Sequence, residues 1–268
     1  MCYSKEVSLV VAGILIIAAF FLWYFYVHKQ KKEHLVNFFR YTILAYLCIA
    51  GHQLFEFISI ATGNDIIYRL GLIISISTMY FLMKSLESLT GYDFKSWILI
   101  PVIAVLGVYL FTIPMVWEDV RFWVSGYSHS VWAVAWMGLF MFWNACVFYV
   151  VKKTKKGAKK KALEEYALDS LDISFILAFL YFTLFLLGSG YSAYQDSPSI
   201  WCVFFVVQVI FAPHLAVVVT RNFSKKPKQK KVSWKVWIIL VVLVVLLLTV
   251  LTLLMPYYSD LATKFVFR

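Results

Sequence analysis

Eight apolar stretches of about 20 residues or more recur along this chain and limit what it can fold into. They cover residues 7–27, 36–62, 66–89, 97–116, 131–151, 170–194, 199–220 and 235–255. A helix that crosses a bilayer needs about 20 mostly apolar residues. The chain is also 62% hydrophobic and 15% charged, and a soluble fold of 268 residues cannot bury that much apolar surface. The sequence therefore excludes a soluble enzyme, a disordered chain and a disulfide scaffold. It predicts one all-α, polytopic transmembrane domain over residues 1–268, a seven-helix bundle with a more lipid-exposed eighth helix.

Lysine and arginine predict the orientation of this bundle, because cytoplasmic loops collect these residues. With the N-terminus outside and eight spans, 20 of the 25 Lys and Arg residues fall on the inner side and five on the outer side. We therefore expect both termini outside, in a protein of the plasma or cytoplasmic membrane.

The basic excess gives a net charge of +11, which in a soluble protein would suggest nucleic acid. Here the charges lie in short runs between apolar stretches, so we expect membrane lipids and no nucleic acid as partners. The runs 152–161 and 225–235 are expected to attract anionic lipids of the inner leaflet, although orientation alone also explains them.

Most of the other ionisable and thiol groups are expected in one layer near the outer surface. His52 and Glu56 are spaced i, i+4 on one face of the second helix, about 24 Å above its inner end. Arg69 begins the third helix at the same level. The candidate ligand-binding residues of this layer are Cys2, Ser4, Gln53, Glu56, Arg69, Trp201 and Cys202.

Glu56 is the main candidate for function, because a carboxylate at membrane depth is costly unless it is paired or faces water. One interpretation is structural: an ion pair with Arg69 or a hydrogen bond to His52 that locks helices together. The other makes Glu56 a proton acceptor, a cation ligand or a general base.

Two further arrangements are open in this layer. His52, Glu56 and His129 form a candidate metal set of two histidines and one carboxylate, for which zinc is the expected ion. His129 is equally explained as an interfacial loop residue. Cys2 and Cys202 are open to a disulfide, to metal ligation or to remaining free.

Three short patches resemble an uncharacterised family of multi-pass membrane proteins whose members begin Met-Cys-Phe-Ser. They are Met1-Cys2-Tyr3-Ser4, Gly51-His52-Gln53-Leu54-Phe55-Glu56 and Ser199-Ile200-Trp201-Cys202-Val203-Phe204-Phe205. The chain departs from the family pattern at His52, Leu54 and Phe57. The resemblance thus extends to Cys2, Ser4, Gln53, Glu56, Trp201 and Cys202, and implies the architecture and the site location only.

Three functions fit these observations. The first is a bundle with an outward-facing polar pocket that binds or transports a small ligand, proton or cation through Glu56. The second is an intramembrane hydrolase of lipids, similar in outline to the ceramidase and adiponectin-receptor superfamily, using metal-bound water or a nucleophilic Cys2. The third is a structural subunit that packs against other proteins of a membrane assembly. Whether the chain is an enzyme is left open.

Overall fold

The computed structural model describes residues 5–118, 121–124, 126–155, 157–165, 213–214, 216–243 and 245–246. The chain is mostly helical. The predicted segment 170–194 lies wholly outside the described residues, and so do most of segment 199–220 and the end of segment 235–255.

Five main helices and four short strands make up the described part. The helices are α1 (Lys5–Leu22), α2 (Glu33–Thr62), α3 (Asp65–Thr90), α4 (Leu99–Thr112) and α5 (Gly126–Lys153), and the strands are β1 (Tyr92–Asp93), β2 (Met115–Glu118), β3 (Arg121–Val124) and β4 (Lys230–Lys231). A π-helical turn, Trp23–Val27, extends α1, and a 3-10 turn, Ser96–Ile98, precedes α4. Residues 158–165 and 216–222 are also helical.

Three of the helices are long and apolar enough to cross a membrane. They cover Glu6–Val27, Glu33–Thr62 and Asp65–Thr90, and two shorter apolar helices cover Ser96–Thr112 and Trp234–Leu243. Large apolar side chains are exposed on several of them, including Ile17, Val105 and Ile238. Exposed apolar surface of this extent is compatible with insertion into a membrane.

Glycine and asparagine end α2 and start α3. Gly63 has φ +65° and its N–H donates to Ser59 O at 2.8 Å, the left-handed cap that glycine adopts without strain. The Asn64 side chain then accepts from the N–H groups of Ile66 and Ile67 at 3.0 and 3.4 Å, which satisfies two free donors of α3. The chain therefore reverses within two residues, and α2 and α3 become antiparallel neighbours.

Contacts along the helices show that α1, α2, α3 and α4 run alternately up and down. Ser8 meets Glu56 and Tyr26 packs on Phe39. Thr42 Oγ1 lies 2.9 Å from Ser85 Oγ, and Arg69 reaches Leu110. One end of the bundle thus contains Asn64, the start of α1 and the end of α4, and we call it the Asn64 end.

The opposite end, called the lysine-rich end, contains residues 28–32, 91–98, 152–155, 157–161 and 221–235. Contacts between these segments place them together: Lys159 Nζ lies over the ring of Phe223. His34 Nε2 is 2.8 Å from Phe223 O, and β1 pairs with β4.

The strands are a feature that the sequence did not predict. β2 and β3 form an antiparallel hairpin with Met115 opposite Val124 and Glu118 opposite Arg121. β1 and β4 pair in parallel, with Tyr92 opposite Lys230 and Asp93 opposite Lys231. Strands of two to four residues are too short to show a hydrophobic alternation in the sequence.

Candidate functional site

Glu56 is buried between α1 and α2 near the Asn64 end. It lies less than two helical turns before the end of α2, and its side chain is only 3% exposed. Ser8, in the first turn of α1 and fully buried, donates its hydroxyl to Glu56 Oε2 at 3.3 Å. The carboxylate therefore sits at the contact of two helices that are long and apolar enough to cross a membrane.

The buried face of α2 around Glu56 is polar. Gln53 and Ser59 lie three residues before and after Glu56, so all three share one helical face, and Gln53 and Ser59 are almost fully buried. The Ser59 hydroxyl donates to Glu56 O at 2.8 Å. Burying polar groups in a helix of this hydropathy is costly unless they are hydrogen-bonded, which makes this face the main candidate site among the described residues.

No positive charge neutralises Glu56 within the described part of the chain. Its described side-chain partner is the Ser8 hydroxyl, and none of the ion pairs among these residues includes it. A single neutral donor compensates a buried carboxylate only in part, since an ionised group loses much more hydration on burial than one such bond returns.

Arg69 is occupied elsewhere. Its Nε donates to Asp65 Oδ2 at 3.0 Å, and its NH1 group donates to the carbonyl oxygens of Leu110 and, at 2.8 Å, of Ile113. A guanidinium at the end of α4 satisfies the free carbonyl groups there and complements the helix dipole. The structure therefore pairs Arg69 with Asp65, and the ion pair with Glu56 considered from the sequence is not formed.

His52 lies where α2 and α3 approach closely. A Cβ on Gly71 would lie 2.9 Å from Phe55 Cβ and 3.4 Å from His52 Nδ1, so glycine permits this contact. Within the described residues, His52 Nδ1 is buried without a hydrogen-bond partner. The hydrogen bond between His52 and Glu56 considered from the sequence is also absent in this part of the chain.

Several predicted site residues lie outside what the structure describes. These are Cys2, Ser4, Trp201 and Cys202, while His129 belongs to α5 but its side chain is not among those described. The described residues contain no group of three or more His, Cys, Asp or Glu side chains that could hold a metal. The zinc set with His129 and the disulfide between Cys2 and Cys202 therefore stay predictions.

Glu87 is a second carboxylate of low exposure, and the sequence analysis missed it. Its Oε1 accepts from the N–H groups of Phe94 and Ser96 at 3.0 and 3.1 Å. Its Oε2 accepts from Ser96 Oγ at 2.9 Å and pairs with Lys84 Nζ at 3.0 Å. An acid in an apolar stretch, with Lys84 at i−3, was the available signal. With four donors, Glu87 fixes the turn between α3 and α4.

The comparisons with known proteins assign the chain to no family. No family model matches the chain, and no curated protein or solved structure matches it either. The resemblance of three short patches to an uncharacterised membrane family therefore stays a prediction.

Proposed function

We propose that this chain is a multi-pass membrane protein that binds or transports a small ligand through Glu56, with a proton or a small cation as the favoured ligand. The observation that carries the proposal is the burial of Glu56 against the Ser8 hydroxyl with no cationic partner among the described residues. An ionisable side chain inside a membrane helix is a candidate for function by default.

The proposed topology has eight spans with both termini outside. It is supported by the collection of basic segments at one end of the bundle, since that end then faces the cytoplasm of a cell bounded by this membrane. Glu56, at the Asn64 end, would be reached from the outer side.

The proposed site consists of the Glu56 carboxylate, the Ser8 hydroxyl and the side chains of the same polar face. Oxygen ligands of this kind suit hard cations, and the carboxylate alone suffices for a proton. Ser8 belongs to α1 and Glu56 to α2, so ligand binding would strengthen the contact between these two helices.

The experiment measures thermal unfolding of the purified full chain in detergent, over a range of Na⁺, K⁺ and Ca²⁺ concentrations and of pH. A ligand that binds the folded state raises its stability by about 2.7 kcal/mol at a hundredfold excess over its Kd. We expect one of these ligands to raise the melting temperature of the wild type and not that of Glu56→Gln.

Glu87→Gln is the matched control, because it removes the charge of another carboxylate of low exposure, near the lysine-rich end of α3. We expect it to lower the melting temperature without ligand and to leave the rise with ligand unchanged. Equal ligand responses of Glu56→Gln and the wild type would contradict the proposal.

A further inference from the structure

The segment 221–235 is the most basic part of the described chain. It contains Arg221 and six lysines with no acidic residue, and all seven basic side chains are exposed. Those lysines are Lys225, Lys226, Lys228, Lys230, Lys231 and Lys235. Within the described parts of the chain, the one ion pair from this segment, Lys226 to Glu33 at 3.9 Å, joins two strongly exposed side chains. Such a pair contributes little, so the positive charge is largely uncompensated.

Backbone pairing fixes this segment to the turn after α3. Lys230 N–H donates to Gly91 O at 2.8 Å and Val232 N–H to Asp93 O at 3.4 Å. Gly91 lies so close to Lys228 O that a Cβ there would be 2.6 Å away. The lysines therefore project from a segment with a defined backbone.

Both ends of the segment are also held. At its start, His34 Nε2 lies 2.8 Å from Phe223 O. At its end, Trp237 Nε1 donates to Phe94 O at 2.7 Å, and Val232 is buried in the main core. An orientation signal requires only charge, whereas these contacts position the charge in a definite place.

Aromatic rings contact one lysine of this segment and one lysine beside it. Lys95 Nζ lies 3.7 Å from the centroid of the Trp234 ring, and Lys230 Nζ lies 4.6 Å from that of Tyr92. Lys95 has φ +53°, a conformation that non-glycine residues adopt rarely, and Asp93 Oδ1 accepts from its N–H at 2.9 Å. We call Lys95, Lys228, Lys230, Lys231 and Trp234 the basic platform.

The depth of the platform is given by the helix that follows it. Trp234 is 55% exposed and begins the apolar helix Trp234–Leu243, whose Ile238 and Ile239 are exposed. Trp97, 58% exposed, lies near the start of α4 at the same end. Tryptophan is enriched where a helix leaves the hydrocarbon, so the ammonium groups lie at the level of lipid headgroups.

We propose that the basic platform binds the phosphate of anionic phospholipid headgroups in the leaflet at the lysine-rich end. The proposal requires that the chain spans a membrane and is independent of Glu56. Lysine near an anionic surface is attracted to it, and a site already fixed by backbone pairing loses less conformational freedom on binding.

The test uses the full chain in phosphatidylcholine nanodiscs that contain a trace of spin-labelled phosphatidylserine or spin-labelled phosphatidylcholine. The ratio of the motionally restricted fractions gives the selectivity for the anionic lipid. We expect selectivity in the wild type, and a loss of about fivefold or more in the triple variant K228Q/K230Q/K231Q.

Two matched variants separate the platform from diffuse charge. K228R/K230R/K231R keeps the positive charge and is expected to keep the selectivity. K29Q/K31Q/K32Q removes three exposed lysines from the same end, outside the platform, and is expected to lose less than about twofold, since distant charges are screened. Equal losses in both glutamine variants would overturn the proposal.

A soluble phosphate ligand is distinguished by competition. Glycerophosphoserine, added in millimolar excess, is expected to leave the selectivity unchanged, because it lacks the acyl chains that bring a headgroup to the platform. Displacement of the labelled lipid by this compound would assign the site to a soluble phosphate and contradict a lipid site.

Discussion

At the scale of single residues, Glu56 and Glu87 show two ways of placing an acid in an apolar helix. Glu87 has two backbone N–H groups, one hydroxyl and one lysine as partners. Glu56 has the Ser8 hydroxyl as its described side-chain partner. Charge-assisted hydrogen bonds are stronger than neutral ones, so the four donors on Glu87 hold the turn after α3 in place, whereas the Glu56 carboxylate has one described donor from a neighbouring helix.

The Ser8–Glu56 contact predicts a measurable coupling energy. Ser8→Ala is expected to destabilise the wild type by about 1–3 kcal/mol, because it removes a donor from a buried carboxylate. In the background of Glu56→Leu, which has no carboxylate, Ser8→Ala is expected to have a much smaller effect. Unfolding of all four proteins in detergent gives the double-mutant cycle, and additive effects would show that the two side chains do not interact.

The sequence predicted part of this site for physical reasons that apply to any membrane helix. The position of Glu56 near the Asn64 end, level with the start of α1, agrees with the count of residues along α2 at the helical rise. Its partner did not follow, because Arg69, His52 and the start of the first helix all belonged to the same expected layer. Sequence spacing does not show that the carbonyls of Leu110 and Ile113, together with Asp65, engage Arg69.

At the scale of elements, the two reversals at either end of α3 differ in what surrounds their glycines. Gly63 and Gly91 both have positive φ, at +65° and +74°. A Cβ on Gly63 would meet nothing within 4 Å, whereas one on Gly91 would meet Lys228 O at 2.6 Å. The first glycine is required by its backbone conformation alone, and the second also by the close approach of β4.

This difference predicts unequal effects of the same substitution. Gly63→Ala is expected to cost about 1–2 kcal/mol, the strain of a left-handed backbone with a side chain. Gly91→Ala carries the same strain and in addition displaces Lys228, so we expect a larger loss of stability and faster trypsin cleavage after Lys228, Lys230 and Lys231. Thermal unfolding and timed proteolysis measure both, and equal effects of the two substitutions would refute the close contact.

Hydropathy predicts the first three helices, because the signal for each of them lies within its own stretch of sequence. The ranges 7–27, 36–62 and 66–89 fall within the helices Glu6–Val27, Glu33–Thr62 and Asp65–Thr90. The parallel pairing of Tyr92 with Lys230 had no such signal, since each strand has two residues and its partner lies far along the chain. The π-helical turn Trp23–Val27 was also missed, because its aromatic residues fit an ordinary helix equally well.

At the scale of the whole molecule, charge separates the two ends of the bundle. The Asn64 end holds buried polar groups around Glu56 and Arg69. The lysine-rich end holds the exposed lysines of residues 28–32, 152–155, 157–161 and 221–235. Among the described segments, those of the lysine-rich end have the composition of cytoplasmic loops, and those of the Asn64 end do not.

The separation of charge between the two ends predicts from which side of the membrane the α2–α3 turn and the segment 221–235 are labelled. In a variant with the four native cysteines replaced by alanine, Thr62→Cys is expected to react with an impermeant maleimide added outside intact cells. Gln229→Cys is expected to react only after the membrane is permeabilised. Labelling of both positions from the same side would contradict the proposed eight-span topology.

The pairing of β1 with β4 has a consequence for the order of assembly, because it joins residues 138 positions apart. At about 5–20 residues per second, the ribosome needs roughly 7–30 s to reach Lys230 after it has made Tyr92. Throughout that interval the polar edge of Gly91–Asp93 has no strand beside it and must stay hydrated. The pairing of β1 with β4 is therefore a late event in biogenesis. A nascent protein truncated before residue 230 would leave the ribosome without a strand paired to the turn after α3.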